Sequence, residues 1–188
     1  FSVSWPRVQP QGMGAWTAKG LDFYERLVDG LLARGLKPYL TLNHWDLPQA
    51  LQDQGGWAAR DTVHRFVDYA LGVQRHLGDR LASITTHNEP WVVATLGHET
   101  GVFAPGLRDR ALAMQASHHL LLSHGLALQV VHRHHPQPDH GPVFAGPLGR
   151  GGVGGGQQRN AGAADQAGGQ GRQFIGPQQQ QGRGVAVV

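Results

Sequence analysis

Three short apolar runs separated by helical patterns constrain this chain more than any other feature. Phe1-Ser-Val-Ser-Trp5, Pro38-Tyr-Leu-Thr-Leu42 and Leu81-Ala-Ser-Ile-Thr-Thr86 have the length and composition of strands. Between them, Leu21, Tyr24, Val28, Leu31 and Leu32 recur at helical spacing from Thr17 to Gly35. Val63, Phe66, Val67, Ala70 and Val73 do the same after Asp61, which is placed to cap that helix. Gly78-Asp79-Arg80 ends it, and a third, long helix is predicted from about Arg108 to about Arg133. One helix per crossover makes successive strands parallel, since an antiparallel pair needs only a short turn. The pattern leaves two α/β architectures open, a doubly wound sheet and a (β/α)8 barrel. Both gather the strands' C-terminal ends on one rim, where ligands bind. Arg7 follows the first strand, His44 and Trp45 the second, and Asn88 and Glu89 the third.

The pattern stops near His135. Over residues 151–188, 12 of 38 residues are Gly and nine are Gln, with no Leu, Trp, Tyr or Lys. Such a stretch cannot bury enough apolar surface to offset its ordering entropy, so it is expected to be disordered. The organisation is therefore residues 1–135 as a folded unit and 136–188 as a low-complexity tail. The tail reads as a linker or interaction segment, or as translation past a frameshift, because the break falls in mid-pattern. The chain opens at Phe1 inside an apolar run, with neither an initiator Met nor a signal-peptide pattern, and reads as a piece of something longer.

Charge and composition exclude several functions. The net charge of +3 and pI near 9.8 first suggest a nucleic-acid binder. The cations are 14 Arg and only two Lys, Lys19 and Lys37, scattered without a contiguous basic patch, so no nucleic-acid partner is expected. No apolar run approaches the roughly 18 to 20 residues of a membrane helix, so no membrane partner is expected either. There is no cysteine, hence no disulfide, thiolate metal site or thiol nucleophile, and residence in the cytoplasm fits. His118, His119, His124, His132, His134 and His135 are numerous enough to raise a transition-metal site, but no HExxH pattern or converging carboxylate accompanies them.

Four motifs now become specific: Phe1-Ser-Val-Ser-Trp-Pro-Arg7, Leu42-Asn-His-Trp-Asp-Leu-Pro-Gln49, Asp53-Gln-Gly-Gly-Trp57 and Asn88-Glu-Pro-Trp91. In this order they resemble family 1 glycoside hydrolases, the β-glucosidase and β-galactosidase group. Ala104-Pro-Gly106 and His118-His-Leu-Leu-Leu-Ser-His-Gly125 extend the resemblance, which covers residues 1 to about 135. It implies a partial (β/α)8 barrel, with this chain supplying roughly the second, third and fourth βα units. The implied activity is hydrolysis of β-D-glucosides or related small-molecule β-glycosides with retention, without a cofactor or metal.

The resemblance also assigns roles. Retaining glycosidases use two carboxylates about 5–5.5 Å apart, one as nucleophile and one as acid/base. Glu89 stands where the family has its acid/base. Asn88 would bond the sugar 2-hydroxyl, His44 another sugar hydroxyl, and Trp45 would wall the same subsite. Arg7 would sit against the nucleophile and keep it ionised. The nucleophile belongs to a Thr-Glu-Asn-Gly motif that these 188 residues do not contain, and neither Glu25 nor Glu99 has a motif that could replace it. The alternative reading is therefore a catalytically inactive fragment with at most weak carbohydrate binding.

Departures from the family pattern are local: Ile84 for a usual Trp, His87 for an apolar residue, His98 for Tyr and Phe103 for His. Gly141-Pro-Val-Phe-Ala-Gly146 is a poor remnant of a further strand, since Pro142 cannot donate to a ladder. With three strands of eight, Val3, Leu40, Leu42 and Ile84 are expected to point into the open barrel interior and meet water, so that the chain aggregates or stays loosely packed.

Overall fold

The computed structural model describes residues 1–134. The proposed tail at 136–188 and the remnant strand at Gly141–Gly146 lie outside the described residues.

Alternation survives with one change at its start. Helix α1 (Trp5–Val8) follows directly on the first extended residues, with Pro6 in its first turn, where a missing N–H does no harm. Phe1–Val3 is therefore too short for a full strand. It pairs in parallel with the next strand at Ser2 and Thr41, through Val3 N–H to Thr41 O at 2.9 Å and Thr41 N–H to Phe1 O at 2.9 Å. Then come α2 (Ala18–Leu32), β1 (Tyr39–Asn43), the single turn α3 (Gln49–Gln52), α4 (Asp61–Leu77), β2 (Ser83–His87), a π-helix (Val92–Glu99) and α5 (Arg110–His134). Strands β1 and β2 are parallel, with Tyr39 opposite Ser83, Leu40 opposite Ile84, Thr41 opposite Thr85 and Asn43 opposite His87. The order across the sheet is thus Phe1–Val3, β1, β2.

Helix ends follow local chemistry. Gly35, at φ 70°, takes the left-handed conformation that closes α2, and Leu36 N–H returns to Leu31 O at 3.0 Å. Asp61 does not cap α4 as expected. It is the first helical residue, after Arg60, and pairs instead with Arg65 one turn on (2.9 Å). Asp109 does cap α5, accepting from Ala111 N–H (2.8 Å) and Leu112 N–H (3.0 Å).

The core lies between the sheet and its helices. Trp5 stacks on Tyr69 (4.7 Å between centroids) and meets Phe66 edge-on (5.8 Å), joining α1 to α4. The Tyr69 hydroxyl, fully buried, donates to Leu42 O at 2.9 Å. On α5, Ala113, Ala116, Leu120, Ser123, Ala127 and Val131 form the buried stripe, mostly of small residues. One expectation is overturned here. Val3, Leu40, Leu42 and Ile84 are all buried in this helix-covered core and do not face an open interior. Alternation along a strand sends Tyr39 and Thr41 to the other face, and Tyr39 is 54% exposed.

Candidate active site

Two turns, one after each strand, make up the site. Asn43 ends β1, and its side-chain N–H donates to Asp46 O (2.9 Å), folding His44–Asp46 back over the strand end. His87 ends β2, and the next residue, Asn88, donates its N–H to Asn43 O at 2.9 Å, so the two turns start side by side. The Trp45 indole N–H then donates to Asn88 O at 3.0 Å. His44 pairs with the Ser2 hydroxyl through Nδ1 at 2.9 Å, and its ring meets Trp45 edge-on at 5.0 Å. Residues from all three parallel segments therefore converge on one rim.

Backbone strain marks the same place. Trp45 (φ 77°) and Glu89 (φ 39°) are the non-glycine residues with positive φ among the described residues. That region crowds Cβ against the carbonyl and typically costs about 1–2 kcal/mol per residue. Strained residues of this kind cluster at functional sites, where surrounding contacts hold them. Here those contacts are the Asn43, Asn88 and Trp45 hydrogen bonds and the turn from Val92 N–H to Glu89 O (2.9 Å). Glu89 is partly exposed.

Beneath the rim is a buried polar group. His87 is fully buried, stacked on Phe66 (4.4 Å) and edge-on to Trp57 (5.4 Å). Its Nε2 lies 2.9 Å from Ser123 Oγ on α5, and its Nδ1 lies 3.4 Å from Asn43 Oδ1 on β1. Burial, reinforced by nearby His124, lowers its pKa to about 3, so the ring is neutral. His124, itself lowered by burial, pairs through Nδ1 with the Thr86 hydroxyl at 2.7 Å. The half-buried Asp46 carboxyl is raised by burial, against the hydrogen bond from Ser4 that favours its charged form.

The structure thus brings together His44, Trp45, Asn88 and Glu89. It does not bring Arg7 to them. Trp5 and Val8 turn inward from the short helix α1, three residues apart, which leaves Arg7 on the outer side. Its guanidinium lies 5.0 Å over the ring of Phe23, on α2. Phe103, by contrast, belongs to the rim and was noted in the sequence only as a departure. It packs 5.8 Å from Trp45 and, with Val92, Val93, Val102 and Ala104, closes a cavity of about 450 Å3 beside that indole. The π-helix that supplies Val92 and Val93 gave no periodic signal. The His98 ring N–H donates to Val93 O, five residues back, at 2.8 Å, and a Cβ on Gly97 would meet Ala104 O at 2.6 Å. No group of three or more potential metal ligands occurs among the described residues. No helix among them is long and apolar enough to cross a membrane.

The chain is 58% identical over 130 residues to thermostable β-glucosidase B of Thermobispora bispora, covering 69% of this chain and 27% of that protein. The family 1 β-glucosidase of Thermotoga maritima, solved with isofagomine lactam, superposes with a TM-score of 0.75 at 47% identity. The match covers 77% of this chain and 33% of that one. The virulence factor SghA of Agrobacterium tumefaciens superposes with a TM-score of 0.74 at 49% identity, covering 77% and 32%; it has also been solved with its substrate analog salicin. The chain spans less than a third of the length of the curated relatives it matches. The fold is accordingly part of a (β/α)8 barrel, with β1, β2 and the Phe1–Val3 segment as neighbouring barrel strands. With the sequence profile of glycosyl hydrolase family 1 matching residues 1–153, the chain belongs to that family.

Proposed function

We propose that this chain supplies the acid/base half of a retaining β-glucosidase-type active site, with Glu89 as the acid/base. Protonated Glu89 gives its proton to the glycosidic oxygen as the bond to the anomeric carbon breaks. A second carboxylate, about 5–5.5 Å away, forms the glycosyl-enzyme. Glu89, now a carboxylate, takes a proton from the water that displaces that carboxylate, and the acid is restored. Asn88 holds the sugar 2-hydroxyl, His44 another hydroxyl, and Trp45 presents its face to the sugar ring. The observation that carries this reading is the positive φ shared by Trp45 and Glu89 on two turns joined by two hydrogen bonds, Asn88 N–H to Asn43 O and the Trp45 indole N–H to Asn88 O. The substrate class is small β-glycosides, and we place the protein in the cytoplasm, a reading supported by the cysteine-free sequence.

A second reading, carbohydrate binding without turnover, is favoured for the 188 residues by themselves, because they contain no Thr-Glu-Asn-Gly motif. One pair of measurements tests both. The 188-residue chain is titrated with salicin while backbone amides and tryptophan indole N–H signals are followed by NMR. It is also assayed on a chromogenic aryl β-glucoside. The expected result is a weak, saturable shift centred on Trp45, Asn88 and Glu89, lost in Asn88→Ala, without turnover. Shifts elsewhere, or none, overturn the site. Linear turnover abolished by Glu89→Gln overturns the division of the machinery.

A further inference from the structure

The rim leaves Arg7 unused, and Arg7 lines a second cavity. About 430 Å3 in volume, it lies where the end of α1 meets the start of α2, lined by Arg7, Thr17, Lys19, Gly20, Phe23 and Arg26. Three of these six residues carry a full positive charge at neutral pH and none is acidic. Among the described residues no carboxylate pairs with Arg7, Lys19 or Arg26. Their separation in sequence is why no basic patch is visible in the linear chain.

Arg7 is held ready. Its guanidinium lies 5.0 Å over the Phe23 ring and 5.9 Å from the Tyr24 ring centre. These ring contacts leave the guanidinium N–H groups without an ion-pair partner among the described residues, and such groups pair bidentately with oxyanions. Gly20 permits this approach. A Cβ there would stand 2.5 Å from the Arg7 carbonyl oxygen, so any other residue would push α2 away. The Thr17 hydroxyl, which makes no cap bond to the helix, adds a neutral donor. A fixed planar fork, two flexible cations and a hydroxyl suit a small tetrahedral dianion with several acceptor oxygens.

We propose that this cavity is a binding site for a phosphate-class dianion, inorganic phosphate or a phosphomonoester. It is independent of the sugar site and of the glycosidase reading. The test titrates the 188-residue chain with sodium phosphate at ionic strength held constant with sodium chloride, following backbone and arginine side-chain N–H signals by NMR. Saturable shifts confined to residues lining the cavity are expected. Arg7→Gln weakens binding about tenfold, the loss expected for one charge-assisted contact. Lys19→Gln and Arg26→Gln, both on exposed side chains whose loss leaves the fold intact, each weaken it several-fold. Arg34→Gln, an exposed cation elsewhere that bonds Gly30 O, leaves it unchanged. Phenyl phosphate serves as a second ligand. Tighter binding than inorganic phosphate identifies a phosphomonoester as the occupant, whereas equal binding identifies free phosphate. Non-saturating shifts, equal losses in Arg34→Gln, or binding to a single-stranded oligonucleotide that tightens with its length overturn the proposal.

Discussion

Replacing His87 by Phe tests whether its neutral, buried imidazole makes the fold sensitive to acid. In the unfolded chain a histidine titrates near 6.5, whereas burial holds His87 at about 3 in the fold. Between these values the unfolded state binds a proton that the folded state refuses. The stabilisation from the neutral ring is complete above pH 6.5 and is lost progressively as pH falls towards 3. For these two pKa values, linkage gives a loss of about 2 kcal/mol between pH 7 and pH 5. The lowered pKa of His124 adds in the same direction and is untouched by the substitution. Phe keeps the stack on Phe66 but loses the contacts to Ser123 and Asn43, so His87→Phe is the less stable protein at pH 7. Its pH dependence is nevertheless flatter. Urea unfolding followed by circular dichroism at pH 7 and pH 5 should show the parent chain losing about 2 kcal/mol more than the variant. Identical losses, or an imidazole NMR titration of His87 near 6.5 in the folded chain, refute the reasoning.

Three further outcomes follow from geometry. Gly72→Ala places a Cβ against the Trp16 ring, which stacks on Tyr69, and overpacking of this kind should cost about 1–3 kcal/mol in urea unfolding. Tyr69→Phe leaves the buried Leu42 carbonyl without its 2.9 Å hydroxyl donor and should cost about 1–3 kcal/mol by the same measurement. Trp45→Gly should be more stable than Trp45→Ala by about 1 kcal/mol, because only glycine occupies φ 77° without strain, while both variants lose the salicin-induced shifts.

Element types were legible from periodicity wherever a stretch is amphipathic over several turns, as α2 and α4 are. The end of the first strand was not. Phe1-Ser-Val-Ser-Trp5 alternates like a strand, yet the following Pro-Arg-Val lets Trp5 and Val8 bury together on one helical turn, and tertiary packing of Trp5 on Tyr69 decides the outcome. That local choice also explains Arg7. Its position after a strand implied the rim, but side-chain direction is set by the helical turn it occupies. That Asn88, Glu89, His44 and Trp45 share one rim was legible, because each follows the end of a parallel strand. Phe103 was readable only as an oddity, since what it touches depends on the loop that brings Val102–Ala104 back to Trp45. The π-helix had no sequence signature, and one bond that accompanies it, from the His98 ring to a carbonyl five residues away, depends on a side chain whose partner the pattern does not indicate.

The burial of Val3, Leu40, Leu42 and Ile84 changes what holds this part of the barrel together. A barrel strand has two faces, and which one carries the large apolar residues decides how far a few strands can stand without their neighbours. Here the bulky residues face the helices, where each buried side chain contributes roughly 1.5–3 kcal/mol. The opposite face of β1 carries Tyr39 and Thr41, with the Tyr39 ring largely in water. The layer of sheet and helix is therefore already complete, and Trp5, Phe66, Tyr69 and Trp57 close it through one continuous run of ring contacts. The rim depends on that same layer. His87 reaches from Phe66 in the core to Ser123 on α5 and Asn43 on β1, and the strained turns of Trp45 and Glu89 spring from the two residues it touches or adjoins. Strain at a site persists only where rigid surroundings over-determine it. In this chain those surroundings are the helix-facing core, which is why the geometry of the Glu89 turn is set from beneath the sheet and not from inside the barrel.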